Sequence, residues 1–379
     1  MFQRIVLIVL DGVGIGALPD AASYGDQGAA TLPHVAAAVG GLPLPNMAAL
    51  GLGKIVSVPG LKPVSVDSGY WGRMAERSAG KDSVTGHWEL AGVILEQPFA
   101  TFPDGFPAEI IERFKAVTGL EPLGNIAASG TEIIRQLGKE HLQTGRPIVY
   151  TSSDSVFQIA AHEEVIPPFR LYQICRQVEE ILLPYNVCRV IARPFVGTTA
   201  DNFKRTSGRH DFPRLPESPT LLVRLQQAGV ATFGVGKIHD LFAGQGLSDH
   251  MATKSNSEGM EKTLVALNKI KSGLVMTNLV DFDMLYGHRL DCSGFAAALT
   301  EFDAWLPKLQ QSLAERDLLL ITADHGCDPT TPGTDHTREY VPLLVWSPML
   351  KGVGDLGVRR SFADVGATIA ENYSLNSTT

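Results

Sequence analysis

Residues 5–11 read Ile5-Val-Leu-Ile-Val-Leu-Asp11, a short run rich in Val and Ile that stops at a carboxylate. Similar short apolar runs recur at 147–150, 187–191, 231–235, 274–280 and 318–322. Several are followed by polar residues and then by helical periodicity, the grammar of an α/β fold with a mainly parallel sheet. Amphipathic segments at 221–228, 261–270 and 295–313 supply the covering helices, with Ser255 or Ser257 and Ser293 as N-cap candidates.

Asp11, Asp283 and Asp324 each lie just beyond one of these apolar runs, in the first or last third of the chain. Ligands of open α/β sheets bind outside the carboxyl ends of the strands, so the three carboxylates are expected along one sheet edge. The middle is rich in Pro, Gly and charged residues around strands of its own. It reads as an inserted cap domain over 98–217, between core segments 1–97 and 218–379. At 379 residues, one large and one smaller domain is the natural division.

Bulk composition excludes several classes. A net charge of −8 argues against a nucleic-acid surface, which needs clustered Lys and Arg. An acidic protein with an anionic substrate must attract it locally, with metal ions or a few placed cations. The apolar run at 5–10 is too short for a signal-peptide core or a membrane span, so a cytoplasmic protein with no membrane partner is expected. Cys175, Cys188, Cys292 and Cys327 form no CxxC pair and indicate neither a disulfide framework nor a thiolate zinc site.

The segment Asp281-Phe-Asp-Met-Leu-Tyr-Gly-His288 places carboxylates after a strand and an imidazole five positions beyond Asp283. Ala323-Asp324-His325-Gly326 and Gly333-Thr-Asp335-His336 follow. With Asp11 these supply three aspartates and three histidines, enough for two divalent ions. Taken singly, an aspartate after a strand is a common turn former and a histidine a common surface residue. Six in this order, beside glycines, are not explained that way. Two ions roughly 4 Å apart suit phosphoryl transfer, because they bridge attacking and leaving oxygens and neutralise the charge on the group in flight. Mixed O and N ligands suit manganese, zinc or magnesium.

Lys81-Asp-Ser-Val-Thr85-Gly86-His87 reads as a loop entering a short helix. A hydroxyl at Thr85 would face free amides and a dipole that favours anions, with Gly86 allowing close approach of a phosphate. Locally, Thr85 is equally an N-cap residue, and Ser83 and Ser129 compete as hydroxyl nucleophiles.

The stretches Val9-Leu-Asp11-Gly-Val-Gly, Asp82-Ser-Val-Thr85-Gly-His-Trp-Glu, Asn278-Leu-Val-Asp-Phe-Asp283, Ala323-Asp-His-Gly326 and Gly333-Thr-Asp-His-Thr-Arg-Glu-Tyr340 closely resemble the phosphopentomutases of the alkaline phosphatase superfamily. The middle joins in with Tyr150-Thr-Ser-Ser-Asp154-Ser-Val and Ile191-Ala-Arg193-Pro-Phe-Val-Gly197. The resemblance implies an alkaline-phosphatase-like core with a mobile α/β cap, two Mn2+ ions, and a phosphothreonine at Thr85. It implies Asp11, Asp324 and His325 on one ion and Asp283, His288 and His336 on the other. The implied substrates are ribose 1-phosphate and ribose 5-phosphate and their 2-deoxyribose counterparts, exchanged through a pentose bisphosphate. A pentose or hexose bisphosphate is the implied activator.

A mutase must exclude water and grip a second phosphate, tasks that suit the cap. Arg193, Arg205, Arg209 and Lys237 are candidates for that grip, each equally readable as a solvated surface charge. Gly234-Val-Gly-Lys237 follows a strand but lacks the spacing and the Ser or Thr of a Walker A loop. Asp154 is a candidate for a sugar hydroxyl or for a turn. The rival readings are a metal-dependent phosphomonoesterase, a glycerate-phosphate mutase, and a non-catalytic sugar-phosphate binding protein.

Overall fold

A computed structural model describes residues 1–66, 68–152 and 155–375. The chain divides into two compact units: Met1–Gln97 with Pro216–Thr379, and Pro98–Leu215. The inserted segment thus ends at Leu215, slightly before the expected boundary at 217.

The larger unit is built on an eight-stranded sheet. Its strands run in the order Asp249–Met251, Thr232–Val235, Gly273–Leu279, Arg4–Leu10, Asp317–Thr322, Val341–Trp346, Gly69–Met74, Val353–Arg359. Neighbours are parallel except on the two sides of Val341–Trp346, which runs against both partners. Every residue of Arg4–Leu10, Gly273–Leu279 and Asp317–Thr322 is buried. That is why these segments read as unbroken apolar runs: a parallel strand covered on both faces has no polar side to show. Each buried Leu, Ile or Val contributes roughly 1.5–3 kcal/mol.

The register positions the site. Ile5 lies opposite Leu274 on one side and Leu318 on the other, and Val9 opposite Asn278 and Thr322. The three chains therefore leave the sheet at one level, and the residues that follow emerge side by side. At the other end of the same strands, Arg4 pairs in register with Asp317, and their buried guanidinium and carboxylate form an ion pair. Arg4 also donates to the carbonyl of Ile270 at 2.8 Å.

The flank running from Val341–Trp346 through Gly69–Met74 to Val353–Arg359 was not apparent in the sequence. Pro342 interrupts one of its strands, and glycines and charges dilute the last, whose register shifts between Asp355 and Gly357. The helices Leu221–Gln227, Asn256–Lys269 and Cys292–Gln311 match the amphipathic segments. Ser255 caps the second, accepting from the amide of Glu258. The third is capped by Asp291 rather than Ser293, which lies inside its first turn.

The Pro98–Leu215 unit has its own sheet, ordered Leu123–Ala127, Ile148–Thr151, Val156–His162, Arg189–Val196, Lys204–Arg205, with His210–Pro213 also paired to Arg189–Val196. One core packs Ile110 and Phe114 of helix Ala108–Thr118 and Leu171, Ile174 and Val178 of helix Pro168–Leu182 against the sheet. A second packs Ile133 and Ile134 of helix Gly130–Thr144 against Tyr150 and Phe195. The strand expected at 187–191 starts at Arg189 and continues to Val196. Val156–His162 escaped notice because Gln158 and His162 break its apolar pattern, although every residue in it is buried.

Arg4→Met leaves the Asp317 carboxylate buried without its cation and is expected to destabilise the larger unit by about 3–5 kcal/mol, whereas a combined Arg4→Met and Asp317→Leu change costs much less. Urea denaturation followed by tryptophan fluorescence tests this, because Trp71, Trp88, Trp305 and Trp346 all belong to that unit.

Candidate metal centre and nucleophile loop

Asp11 follows directly on Leu10, Asp324 stands just past Thr322, and Asp283 sits in the turn Phe282–Tyr286 beyond Leu279. All three are buried, as is His325. The Nε2 of His325 lies 3.3 Å from Asp11 Oδ1 and 3.4 Å from Asp324 Oδ2. The Nε2 atoms of His288 and His336 each lie 3.2 Å from Asp283 Oδ1. The rings of His325 and His336 are 4.0 Å apart, centre to centre. All six expected ligands are therefore brought together.

Their potential ligand atoms form three sets, each within 4.8 Å: Asp11, Asp324 and His325; Asp283, His325 and His336; and Asp283, His288 and Cys327. The first is the trio implied for one ion. Asp283 links the other two, in a pattern that adds His325 and Cys327 to the second implied trio.

This donor set fits divalent cations. Asp283 Oδ1, Asp324 Oδ2 and His336 Nε2 are buried and have no hydrogen bond. For Asp283 and His336 this holds although the atoms stand 3.2 Å apart, so the two groups meet at angles unsuited to a hydrogen bond. Convergence without hydrogen bonding is what ligand atoms aimed at a common point require. Burial opposes the charge on Asp283, yet His288 and His336 hold it well below the usual carboxylate range. Burial likewise opposes an imidazolium at His325, and the carboxylates of Asp324 and Asp11 hold it well above the ordinary value. His288, beside Asp283, and His325, beside Asp324 and Asp11, are both held above the ordinary imidazole value and so place positive charge among the carboxylates.

Outer partners orient the ligands. His288 Nδ1 donates to the Thr334 carbonyl at 2.5 Å and His325 Nδ1 to that of Gly326 at 2.9 Å, which leaves each Nε2 for the cluster. Asn278 Nδ2 donates to Asp11 Oδ2 at 2.8 Å, and the Gly12 amide to Asp324 Oδ1 at 3.1 Å. Gly12 has φ +79°, and a Cβ there would come within 2.9 Å of Cys327 Cβ, so no side chain is accommodated.

The helix Ser83–Leu90 begins beside this cluster. Asp82 is its N-cap: Oδ1 accepts from the amides of Val84 and Thr85, and Oδ2 accepts the Thr85 hydroxyl at 2.5 Å. Thr85 is wholly buried. It is not the N-cap; its hydroxyl is held by the residue that is. The Ser83 hydroxyl touches the cluster directly, 3.2 Å from Asp11 Oδ1 and 3.0 Å from His325 Nε2. Gly86 packs on Asp324, and a Cβ there would sit 2.2 Å from the Asp324 carbonyl oxygen. Its small size therefore serves close packing of the helix on the strand end. His87 Nδ1 lies 3.0 Å from Asp324 Oδ2, so Ser83, Gly86 and His87, three and four positions apart, turn one face of the helix to the cluster.

Two buried charges hold the loop before this helix. Glu89 accepts from the amides of Arg77 and Ser78 and, on its other side, from Ser361 and Phe362. Arg338 binds Asp20 and Glu76 and donates to the carbonyls of Glu76, Ser78 and Gly80. Lys81 reaches Asp335, the neighbour of His336, at 3.2 Å.

The expected phosphate contacts divide between units. Lys237 is a partly buried N-cap residue of the turn Ile238–Leu241 in the larger unit. In the other unit a cavity of about 550 Å³ is lined by Arg193, Lys204, Arg205, Arg209, Thr131 and Thr206. Near these arginines the Tyr150 hydroxyl is buried without a hydrogen bond. Asp154 lies outside the described residues.

Asp82, His87, Asn278 and Arg338 carry no role in the sequence pattern. An aspartate three positions before Thr85 at a helix start was a legible capping signal. Asn278 was not legible, since it reads as one more strand residue.

A family model described as Metalloenzyme superfamily matches residues 3–377. The chain is 63% identical over 374 residues to a phosphopentomutase of Syntrophotalea carbinolica, covering 99% of this chain and 95% of that protein. It is 57% identical over 376 residues to one of Caldanaerobacter subterraneus subsp. tengcongensis, again covering 99% and 95%. Among solved structures, the PH0037 protein from Pyrococcus horikoshii shares the fold, with a TM-score of 0.53 at 16% identity over 100% of this chain and 99% of that one.

His336→Ala removes a group that faces Asp283 from a loop at the sheet edge. The variant is expected to keep its fold by circular dichroism and to bind one divalent ion fewer by elemental analysis.

Proposed function

The chain belongs to the phosphopentomutases, within the metalloenzyme superfamily, and we propose that Thr85 carries the phosphoryl group through their reaction. The enzyme is an intramolecular phosphotransferase of the isomerase class. It interconverts ribose 1-phosphate and ribose 5-phosphate, and the 2-deoxyribose pair.

The observation that carries the assignment of Thr85 is its hydroxyl, buried in the first turn of Ser83–Leu90 and bonded to Asp82, on a helix that packs against Asp324 through Gly86. Asp11, Asp324 and His325 would hold one divalent ion and Asp283, His288 and His336 a second; the oxygen and nitrogen donors suit manganese, zinc and magnesium alike, and the resemblance to the phosphopentomutases points to manganese. When bound, such ions neutralise charge on a phosphoryl group and activate a nearby hydroxyl. Phosphorylated Thr85 transfers its group to the free hydroxyl of a pentose monophosphate. The bisphosphate so formed returns its other phosphate to Thr85, which resets the enzyme. A pentose or hexose bisphosphate primes the cycle by phosphorylating Thr85 at the start.

The Ser83–Leu90 helix contributes by its position. Amides of its first turn and the aligned peptide dipoles favour an anion at Thr85. Asp82 fixes the hydroxyl rotamer in the dephosphorylated enzyme. Arg193 and Arg205, in the basic cavity of the Pro98–Leu215 unit, suit the non-transferred phosphate by bidentate geometry, and Lys237 suits it as a point charge. Asp154 remains the candidate for a sugar hydroxyl. The same proposal puts the reaction in the cytoplasm, where four cysteines without disulfides stay reduced.

Ser83 is the second reading for the nucleophile, favoured by its direct contact with Asp11 and His325. Intact-mass analysis after incubation with a pentose bisphosphate separates the two. One added phosphoryl group is expected in the native protein and in Ser83→Ala, and none in Thr85→Ala; the opposite pattern moves the nucleophile to Ser83. With ribose 1-phosphate as substrate, ribose 5-phosphate is expected to exceed released inorganic phosphate by a wide margin.

A further inference from the structure

Cys327 is the one thiol that joins a metal-ligating set among the described residues. It stands two positions past His325, buried, with its sulfur grouped with Asp283 and His288. Its place is fixed from several sides. The Cys327 amide donates to Thr31 Oγ1 at 3.1 Å, and a Cβ on Gly287 would fall 2.4 Å from its sulfur. Gly12 closes on its Cβ from a third direction. The sulfur thus occupies room that Gly12 and Gly287 leave by having no side chains. A second observation points to a ligand: Asp283, only 4% exposed, has a buried Oδ1 without a hydrogen bond, and Asp283 and Cys327 offer donor atoms within 4.8 Å of each other.

We propose that Cys327 is a conditional ligand: thiophilic divalent ions such as Co2+, Zn2+ and Cd2+ draw its sulfur onto the ion held by Asp283 and His288, whereas Mn2+ and Mg2+ leave it a neighbouring thiol. The inference rests on the reading of Asp283 and His288 as ligands. Its basis is hardness: thiolate prefers soft and borderline ions, and carboxylate with water satisfies hard ones. Coordination replaces the S–H bond by a sulfur–metal bond, and the proton leaves to water. The site then discriminates among metals by changing its donor set, with a soft ion gaining a ligand that a hard ion does not use.

The test uses the full-length protein loaded with Co2+. A thiolate-to-cobalt charge-transfer band in the near ultraviolet is expected in the native protein and absent from Cys327→Ser at equal cobalt content. Competition titrations are expected to show Cd2+ bound at least roughly ten-fold more weakly by Cys327→Ser, with Mn2+ affinity changed by less than about two-fold. Should the variant fail to fold, 113Cd NMR of the native protein alone decides, since a sulfur ligand moves the resonance strongly downfield. Cobalt bound without the band, or cadmium with an oxygen and nitrogen shift, overturns the role of Cys327 while leaving the metal centre intact. No cobalt bound at all overturns both this inference and the assignment of Asp283 and His288.

Discussion

Like charges crowded at the ends of adjacent strands are the constraint on which the rest of the structure depends. Asp11, Asp283 and Asp324 are buried together because the three strands that deliver them are parallel and in register. Three carboxylates in a low-dielectric pocket repel one another and pay heavily for lost water. Only positive charge placed among them makes the arrangement tolerable. Three imidazoles approach from the loops after the same sheet edge, and divalent ions would do the same task more strongly. The electrostatic cost of the fold and the capacity to bind cations are thus one property.

The loop before Ser83–Leu90 is held by a different device. Glu89 and Arg338 are both buried, and each satisfies backbone groups of residues 76–80. A loop of that kind would otherwise leave amides and carbonyls unpaired away from water, at a cost of about 1–3 kcal/mol each. Arg338 follows closely on His336 in sequence, so the same short segment supports the metal cluster and the entry to Ser83–Leu90. Burial pushes the Glu76 carboxyl well above its usual value, opposed by Arg338, which marks how far from solvent this support lies.

Much of this was legible in the sequence, and the exceptions have physical reasons. The central strands were visible because burial on both faces leaves unbroken apolar runs. The edge containing Pro342 and Gly357 was not, since glycine and proline there obey turn and bulge rules rather than strand propensity. The six candidate ligand residues could be named because metal chemistry restricts residue type. Their sharing of Asp283 could not, because it depends on where two loops cross in space. Thr85 could be singled out from its motif, but that its hydroxyl would rest on Asp82 while Ser83 touches His325 is a matter of helix phase. Arg193 and Arg205 do meet in one cavity, whereas nothing in the spacing distinguishes them from solvated charges.

Strand order also dictates a timetable for synthesis. The Arg4–Leu10 segment is synthesised well before its two sheet neighbours, which come from the last third of the chain; Asp11 and its partner Asn278 are 267 positions apart. At ordinary translation rates that gap lasts on the order of tens of seconds. Throughout it the apolar run Ile5–Leu10 has no native partner in the sheet, while the inserted unit completes its own strands at Pro213, before Gly273–Leu279 is made. The nascent chain consequently needs shielding around Ile5–Leu10, and the sheet of the larger unit closes only after Asp317–Thr322 has emerged.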